Sequence, residues 1–109
     1  MSVKHVICSY AYDQSNRLIC IAFNSYSKSH SVQAKYAAKA GKPGMIYLHA
    51  EIHALIKAKN LGKKIHKIHV TRFTKDGQPA MAKPCPVCWA ALVEHGVKKI
   101  SYTTGEPLV

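Results

Sequence analysis

Residues 47–74, YLHAEIHALIKAKNLGKKIHKIHVTRFT, contain a helix pattern followed at once by a strand pattern. From Tyr47 to Leu61 the chain is rich in helix formers and has an apolar face, and Gly62 is a typical helix end. From Ile65 to Thr74 apolar and polar residues alternate, as they do in a half-buried strand. The stretch therefore predicts a helix that leads directly into a strand.

The same order repeats towards the C-terminus. Asp76-Gly77 ends the preceding strand, and Pro84 to Gly96 predicts a second helix, because the prolines are confined to its first turn and glycine follows its end. Val97 to Thr103 then predicts a short strand. Each of these last two strands is reached through a helix, so we expect them to be parallel and joined by right-handed crossovers.

Two apolar runs come before these units. His5 to Tyr12 and Arg17 to Phe23 flank the polar cluster 13–16, which predicts a β-hairpin whose strands are buried on both faces. Cys8 and Cys20 lie inside these strands and are expected to be small buried residues. Residues 24–46 are irregular, apart from a short alanine-rich helix predicted around 32–40.

The predicted fold class is α/β. We expect a single mixed β-sheet in the order β-β-α-β-α-β, with an N-terminal antiparallel hairpin followed by parallel strands, covered by helices. A chain of 109 residues and 12.0 kDa is long enough for one core, so residues 1–109 are expected to form a single domain. In such sheets, ligands bind where helix N-termini gather beside the carboxyl ends of strands.

The charge is strongly basic, with 16 Lys plus Arg against five Asp plus Glu and a net charge of +11. Such a field attracts phosphates, nucleic acid or an acidic membrane surface, although lysines that only solvate the surface would give the same sum. Arg17 and Arg72 are the two arginines. Since arginine is the residue that reads base edges bidentately, any nucleic-acid contact is expected to be directed mostly at the backbone.

Targeting signals are not evident in the sequence. No apolar run approaches the roughly 20 residues that span a bilayer, and the N-terminal residues do not resemble a signal peptide. A soluble cytoplasmic protein without membrane contact is therefore expected. Two of the four cysteines form a Cys-x-x-Cys, and reduced thiols with a metal or redox role are therefore predicted there rather than a disulfide framework.

Both predicted helices begin with metal-ligand residue types, His49-Ala50-Glu51 and Pro84-Cys85-Pro86-Val87-Cys88. A three-residue spacing on a first helical turn puts both sulfurs on one side, and a helix N-terminus favours the thiolate that binds zinc. One imidazole and two thiolates leave a fourth tetrahedral position for water, which is typical of catalytic zinc. Glu51 would then lie beside that water as a proton carrier.

Two other interpretations of these residues remain open. His53 lies four residues after His49 and could complete a closed, purely structural Cys₂His₂ zinc site. A thioredoxin-like redox role for Cys85 and Cys88 is the other. The remaining histidines in basic segments, His66, His69 and His95, are interpreted as surface residues.

The H-x-E and P-C-x-x-C motifs resemble those of the cytidine deaminase superfamily of zinc-dependent nucleobase deaminases. The resemblance implies hydrolytic removal of an exocyclic amino group from a nucleobase. It also implies site residues: zinc ligands His49, Cys85 and Cys88; the proton carrier Glu51; base contacts from the backbone at Ala50 and Pro84; and a sugar or base contact from Asn24. For Asn24, a simple strand-ending role explains the residue equally well.

Two substrate classes share this chemistry. The first is a free cytosine nucleoside or nucleotide, whose phosphate could be held by lysines 28, 35, 39 and 42. The second is cytosine or adenine in single-stranded DNA or RNA, with the basic surface as its track. Little sequence follows Thr104 for the C-terminal helices that hold polynucleotides in related enzymes, so the first is expected.

Further expectations concern alternatives and assembly. A non-catalytic zinc-binding nucleic-acid module is a third possibility, which the presence of Glu51 disfavours. The resemblance implies a homodimer or homotetramer.

Phe73 and Trp89 lie near the expected pocket and could either stack on a base or pack against the protein.

Overall fold

A computed structural model describes residues 6–25, 31–39, 41, 49–74 and 76–104 of the chain. In this part of the chain there are four strands and three helices: β1 Ile7–Tyr12, β2 Leu18–Phe23, α1 Ser31–Lys39, α2 Ala50–Asn60, β3 Lys67–Arg72, α3 Pro86–Glu94 and β4 Lys99–Tyr102. Every predicted helix and strand is present, and most are a few residues shorter at their ends.

The strands form one mixed sheet in the order β2-β1-β3-β4. The inner strand β1 is antiparallel to both of its neighbours, β2 and β3, whereas the pair β3 and β4 is parallel. The predicted N-terminal hairpin and the predicted parallel pair are therefore both confirmed. The α/β fold with a single mixed sheet is the one expected for a cytidine deaminase-like domain.

The described helices cover one face of this sheet. Ile68 and Val70 of β3 point into that core with no exposed surface, and Ile52 of α2 and Leu92 of α3 lie in the same buried cluster. Alternation along β3 is as predicted, because a strand with one covered face buries every second side chain.

The prediction that the hairpin strands are buried on both faces is wrong. Leu18, Ile21 and Phe23 of β2 are 51%, 37% and 52% exposed. An uninterrupted apolar run suits a strand covered on both sides, but it does not show that a covering element exists. In the described residues, the helices lie only on the opposite face.

A hairpin that the sequence did not predict follows β3. Ala80 N–H donates to the Arg72 carbonyl at 2.8 Å, Thr74 N–H donates to the Gln78 carbonyl at 2.8 Å, and Gly77 has the positive φ of 80° that the turn needs. The strand consequently ends at Arg72 instead of Thr74. This hairpin leads the chain back to the start of α3.

Side chains of helix α2 bond to the edge of the sheet that β2 forms. His53 Nδ1 donates to the Phe23 carbonyl at 3.0 Å, and Lys57 Nζ donates to the Ile21 carbonyl at 2.9 Å. Both carbonyls belong to edge strand β2, so two of its outward acceptors are occupied and are not available to another strand. None of the described helices is long and apolar enough to cross a membrane.

Candidate metal centre and active site

Helices α2 and α3 begin beside each other, and each is preceded by a candidate ligand. His49 is the N-cap of α2 with φ −83° and ψ 154°, and Cys85 is the N-cap of α3 with φ −65° and ψ 166°. Pro86 follows in the first turn of α3, where its missing N–H costs nothing. Both caps are extended, so their side chains project ahead of the helices.

The structure brings His49, Cys85 and Cys88 together. His49 Nδ1 lies 3.1 Å from Cys88 Sγ and 3.6 Å from Cys85 Sγ, and the three ligand atoms lie within 4.8 Å of one another. Ligand atoms around a tetrahedral zinc are about 3.5 Å apart, given its usual bond lengths to nitrogen and sulfur. This donor set and spacing fit zinc.

Glu51 lies beside the three ligand atoms. Its side chain is only 5% exposed, and its carboxyl is close enough to His49 and Cys88 to act on their pKa values. Glu51 and His49 are two residues apart and would diverge within a regular helix. They reach the same cavity because His49 is still extended while Glu51 is already in the first turn of α2. Burial raises the pKa of the Glu51 carboxyl, which suits a group that accepts and returns a proton.

The two thiols share one negative charge when no metal is bound. A hydrogen bond from Cys88, assisted by His49, lowers the pKa of Cys85 to about 4. The pKa of Cys88 is raised because Cys88 donates that hydrogen bond and is buried near Glu51. The pKa of His49 is raised chiefly by its hydrogen bond with Cys85. A thiolate is therefore already present at the point where a cation would bind.

The alternative interpretation, in which His53 completes a closed Cys₂His₂ zinc site, is wrong. His53 Nδ1 donates to the Phe23 carbonyl at the sheet edge, and the metal-competent group in the described residues does not include His53. Three protein ligands leave one tetrahedral position, which is the arrangement of catalytic zinc sites.

Three other histidines were expected at the surface. His95 is exposed as expected, whereas His66 and His69 are half-buried.

Two buried polar residues that sequence analysis missed hold the start of α2. Gln33 of α1 is completely buried, and its Oε1 accepts a hydrogen bond from His49 N–H at 3.2 Å. Ser9 of β1 is also completely buried, and its hydroxyl donates to the Ala50 carbonyl at 2.8 Å. Gln33 lies on the buried side of α1 together with Tyr36 and Ala37, three and four residues later. This helical spacing is the feature of the sequence that could have indicated a buried glutamine.

We expect Gln33→Leu to lower zinc affinity by roughly tenfold, because a similar volume is kept while the acceptor of the His49 N–H is lost. Competition with a chromophoric chelator measures this affinity. Gln78→Leu is the matched control, since Gln78 is exposed in the hairpin after β3. Equal zinc affinities for the two variants would show that Gln33 does not position His49.

The three predicted substrate contacts lie in different settings. Asn24 directly follows β2, where its Oδ1 accepts from Ile7 N–H at 2.9 Å and its own N–H donates to the Ile7 carbonyl. Its side-chain oxygen thus has a strand-ending role. Ala50 and Pro84 are buried next to His49 and Cys85. Contact of these residues with a substrate stays a prediction.

A surface depression of about 570 Å³ lies at the start of α3, where it is lined by Lys83, Pro84, Pro86, Trp89 and Ala90. Trp89 is 38% exposed, and Lys83 Nζ lies 5.8 Å from the centroid of its ring. The depression therefore combines an aromatic face with a cation at the start of the helix that carries Cys85 and Cys88.

Two of the four lysines predicted to hold a phosphate, Lys35 and Lys39, do not lie there. Lys39 pairs with Glu94 at 3.4 Å, and Lys35 lines a cavity with His95, so both are near the C-terminal end of α3. The ligand cysteines are at its N-terminal end, several helical residues away. Lys28 and Lys42 are outside the described residues. Lys83 is the better candidate for a phosphate contact.

Comparison with known proteins gives one finding about the family. Residues 3–104 match the family model of the cytidine and deoxycytidylate deaminase zinc-binding region. No curated protein matches the chain. The matched range contains both helix starts and therefore the whole cluster of His49, Glu51, Cys85 and Cys88.

Proposed function

Because the chain belongs to the cytidine and deoxycytidylate deaminase zinc-binding family, we propose that it deaminates cytosine in a free nucleoside or nucleotide. The products are the uracil form and ammonia, and the enzyme is a zinc-dependent hydrolase of an amidine C–N bond. The observation that carries this proposal is the buried Glu51 carboxyl beside the His49–Cys85–Cys88 group. A binding module that used zinc only for its structure would have no need of a carboxyl at this point.

Different residues of the site have different roles in the proposed deamination. His49, Cys85 and Cys88 would hold the zinc ion, which would supply the activation of a water as the nucleophile. Glu51 would accept the first proton that the water gives up and pass it to the ring nitrogen, and would then accept the second and pass it to the amino group, which leaves as ammonia. Gln33 and Ser9 keep His49 and the first turn of α2 in place during these steps.

The depression at the start of α3 supports a small substrate. Its volume of about 570 Å³ lies in the range of small-ligand sites. Trp89 offers a ring for stacking, and Lys83 offers a point charge suited to one phosphate. We therefore favour a nucleoside monophosphate over a base within a polynucleotide.

A panel of substrates tests the proposal. We expect ammonia release from cytidine, deoxycytidine or their monophosphates, and none from the adenine equivalents. Lys83→Gln is expected to raise KM about tenfold for the monophosphates and to leave KM for the nucleosides unchanged. Lys59→Gln is the control, because Lys59 is an exposed lysine at the C-terminal end of α2. Ammonia release confined to single-stranded oligonucleotides would contradict the proposal.

We also propose a cytoplasmic homodimer or homotetramer. Trp89 and Val93 are one turn apart on α3, and both are exposed apolar residues, at 38% and 57%. Such a pair is suited to contact with a second subunit, which would also close the depression at the start of α3. Both the assembly and the location stay predictions.

A further inference from the structure

The face of the sheet turned away from the helices carries a surface that the deaminase chemistry does not use. We call it the open face and define it by Tyr10, Tyr12, Ile21, Phe23, Lys67 and Lys99, which the strand register places on the same side. None of these six side chains belongs to the core cluster or packs against it. In the described part of the chain, no helix covers this face.

The register arranges the open face in two halves. Tyr10 lies between Ile21 of β2 and His69 of β3. Tyr12 lies beside Lys67, which in turn pairs with Lys99 of β4. Aromatic and aliphatic side chains therefore stand on β1 and β2, while β3 and β4 each contribute one lysine at their start, followed by His69 on β3 and Ser101 on β4. The two halves meet where Lys67 Nζ lies 4.6 Å from the centroid of the Tyr12 ring.

The positive charge of β3 and β4 continues beyond the strands. Lys64 and Lys98 line a cavity of about 260 Å³ with the half-buried His66, at the end of the sheet where β3 and β4 begin. Asp13 is in the nearby β1–β2 turn, but its Oδ1 accepts from two backbone N–H groups, those of Ser15 and Arg17. A cationic strip thus borders the aromatic half of the open face.

Charge complementarity decides among the possible occupants. Two copies packed through this face would bring desolvated lysines into one interface, which is unfavourable without acids to pair them. Single-stranded nucleic acid supplies both matching chemistries: flat bases that stack on aromatic side chains of a sheet, and phosphates that pair with lysine. We propose that the open face binds single-stranded nucleic acid, with two or three bases over Tyr10, Tyr12 and Phe23 and the backbone along Lys67 and Lys99.

This binding is separate from the proposed deamination. The metal cluster lies at the N-termini of α2 and α3, on the covered side of the sheet, so a strand on the open face is not positioned as substrate. Recognition through stacking and lysine–phosphate contacts is expected to tolerate many sequences and to weaken as salt rises.

Fluorescence anisotropy of the zinc-loaded full chain with a labelled single-stranded deoxythymidine 12-mer tests the proposal. A strand without cytosine or adenine has no amino group to lose, so binding is measured apart from turnover. We expect Lys67→Gln with Lys99→Gln to raise Kd about tenfold. Lys35→Gln with Lys59→Gln removes the same charge from the helical side, and we expect it to change Kd less than threefold. Equal weakening by both pairs would overturn the proposal.

A second, uncharged comparison tests stacking. Phe23→Ser is expected to raise Kd about tenfold, whereas Leu61→Ser, an equally exposed apolar position at the end of α2, is expected to leave it unchanged. Circular dichroism verifies that both variants fold. The proposal fails if Phe23→Ser binds like the wild type. It also fails if Phe23→Ser separates a dimer in sedimentation, or if the open face binds anionic vesicles and not the 12-mer.

The two proposals fail in distinguishable ways. The charge pair Lys67→Gln with Lys99→Gln is expected to leave ammonia release from free nucleotides unchanged, because neither lysine is near the metal cluster. Loss of 12-mer binding with intact ammonia release supports the open face. Absence of ammonia release from every substrate tested, with 12-mer binding retained, would overturn only the proposed function.

Discussion

Glu51→Gln is expected to retain about one zinc per chain and to lower the deamination rate by roughly 10³-fold or more. Glutamine keeps the shape and burial of the side chain, and the group of His49, Cys85 and Cys88 is able to hold a metal ion without it. The amide, however, cannot accept the proton of the attacking water, and general acid–base groups contribute about 10²–10⁴ in rate. Metal analysis of the purified protein and an ammonia-release assay measure the two effects separately.

Glu94→Gln provides the matched control. Glu94 is the exposed carboxyl at the end of α3, where it pairs with Lys39 at 3.4 Å, and an exposed pair contributes little to stability. We expect its rate and zinc content to equal those of the wild type. Turnover that survives in Glu51→Gln would contradict the proton-carrying role, and loss of zinc there would instead indicate that Glu51 is a ligand.

The sequence could predict that the metal-ligand residues come together, because their positions at two helix starts are set by local sequence. His49 and Cys85 each stand just before a helix, and the helix starts are marked in the sequence by alanines, prolines and the residue types themselves. Two helices that each precede a parallel strand were expected to place their N-termini together. The prediction that His49 and Glu51 share a cavity depended only on backbone geometry at a helix start.

Features set by long-range packing were not predictable in the same way. The apolar run of β2 gave no sign that Phe23 is exposed, since exposure depends on which elements cover the sheet. Gln33 reaches His49 across 16 positions of sequence. The direction of α1, which brings Lys39 to Glu94 and Lys35 near His95, is likewise set by packing. The hairpin after β3 was missed because Asp76-Gly77 was interpreted only as the end of a strand.

Cys88→Ala is expected to abolish zinc binding and to lower Tm by more than about 10 °C. Cys88 is completely buried and supplies one of the three ligand atoms, so its loss leaves one imidazole and one thiolate. Zinc that binds only the folded state stabilises it by about 4 kcal/mol at a thousandfold excess over Kd, and one kcal/mol corresponds to about 4–8 °C for a small domain. Metal analysis and thermal unfolding monitored by circular dichroism measure both quantities.

Loss of metal and loss of packing are separated by treating the wild type with a chelator. If zinc carries the stability, the metal-free wild type and Cys88→Ala should unfold within a few degrees of each other, because removal of one sulfur from the core is a small cavity term.

His53→Ala supplies the control for the ligand set. It removes a half-buried imidazole that bonds the Phe23 carbonyl, so we expect a cost of about 1 kcal/mol with zinc content unchanged. Zinc loss in His53→Ala as complete as in Cys88→Ala would restore the closed four-ligand site. A closed site has no position for water, so the same result would also remove the basis for catalysis at Glu51.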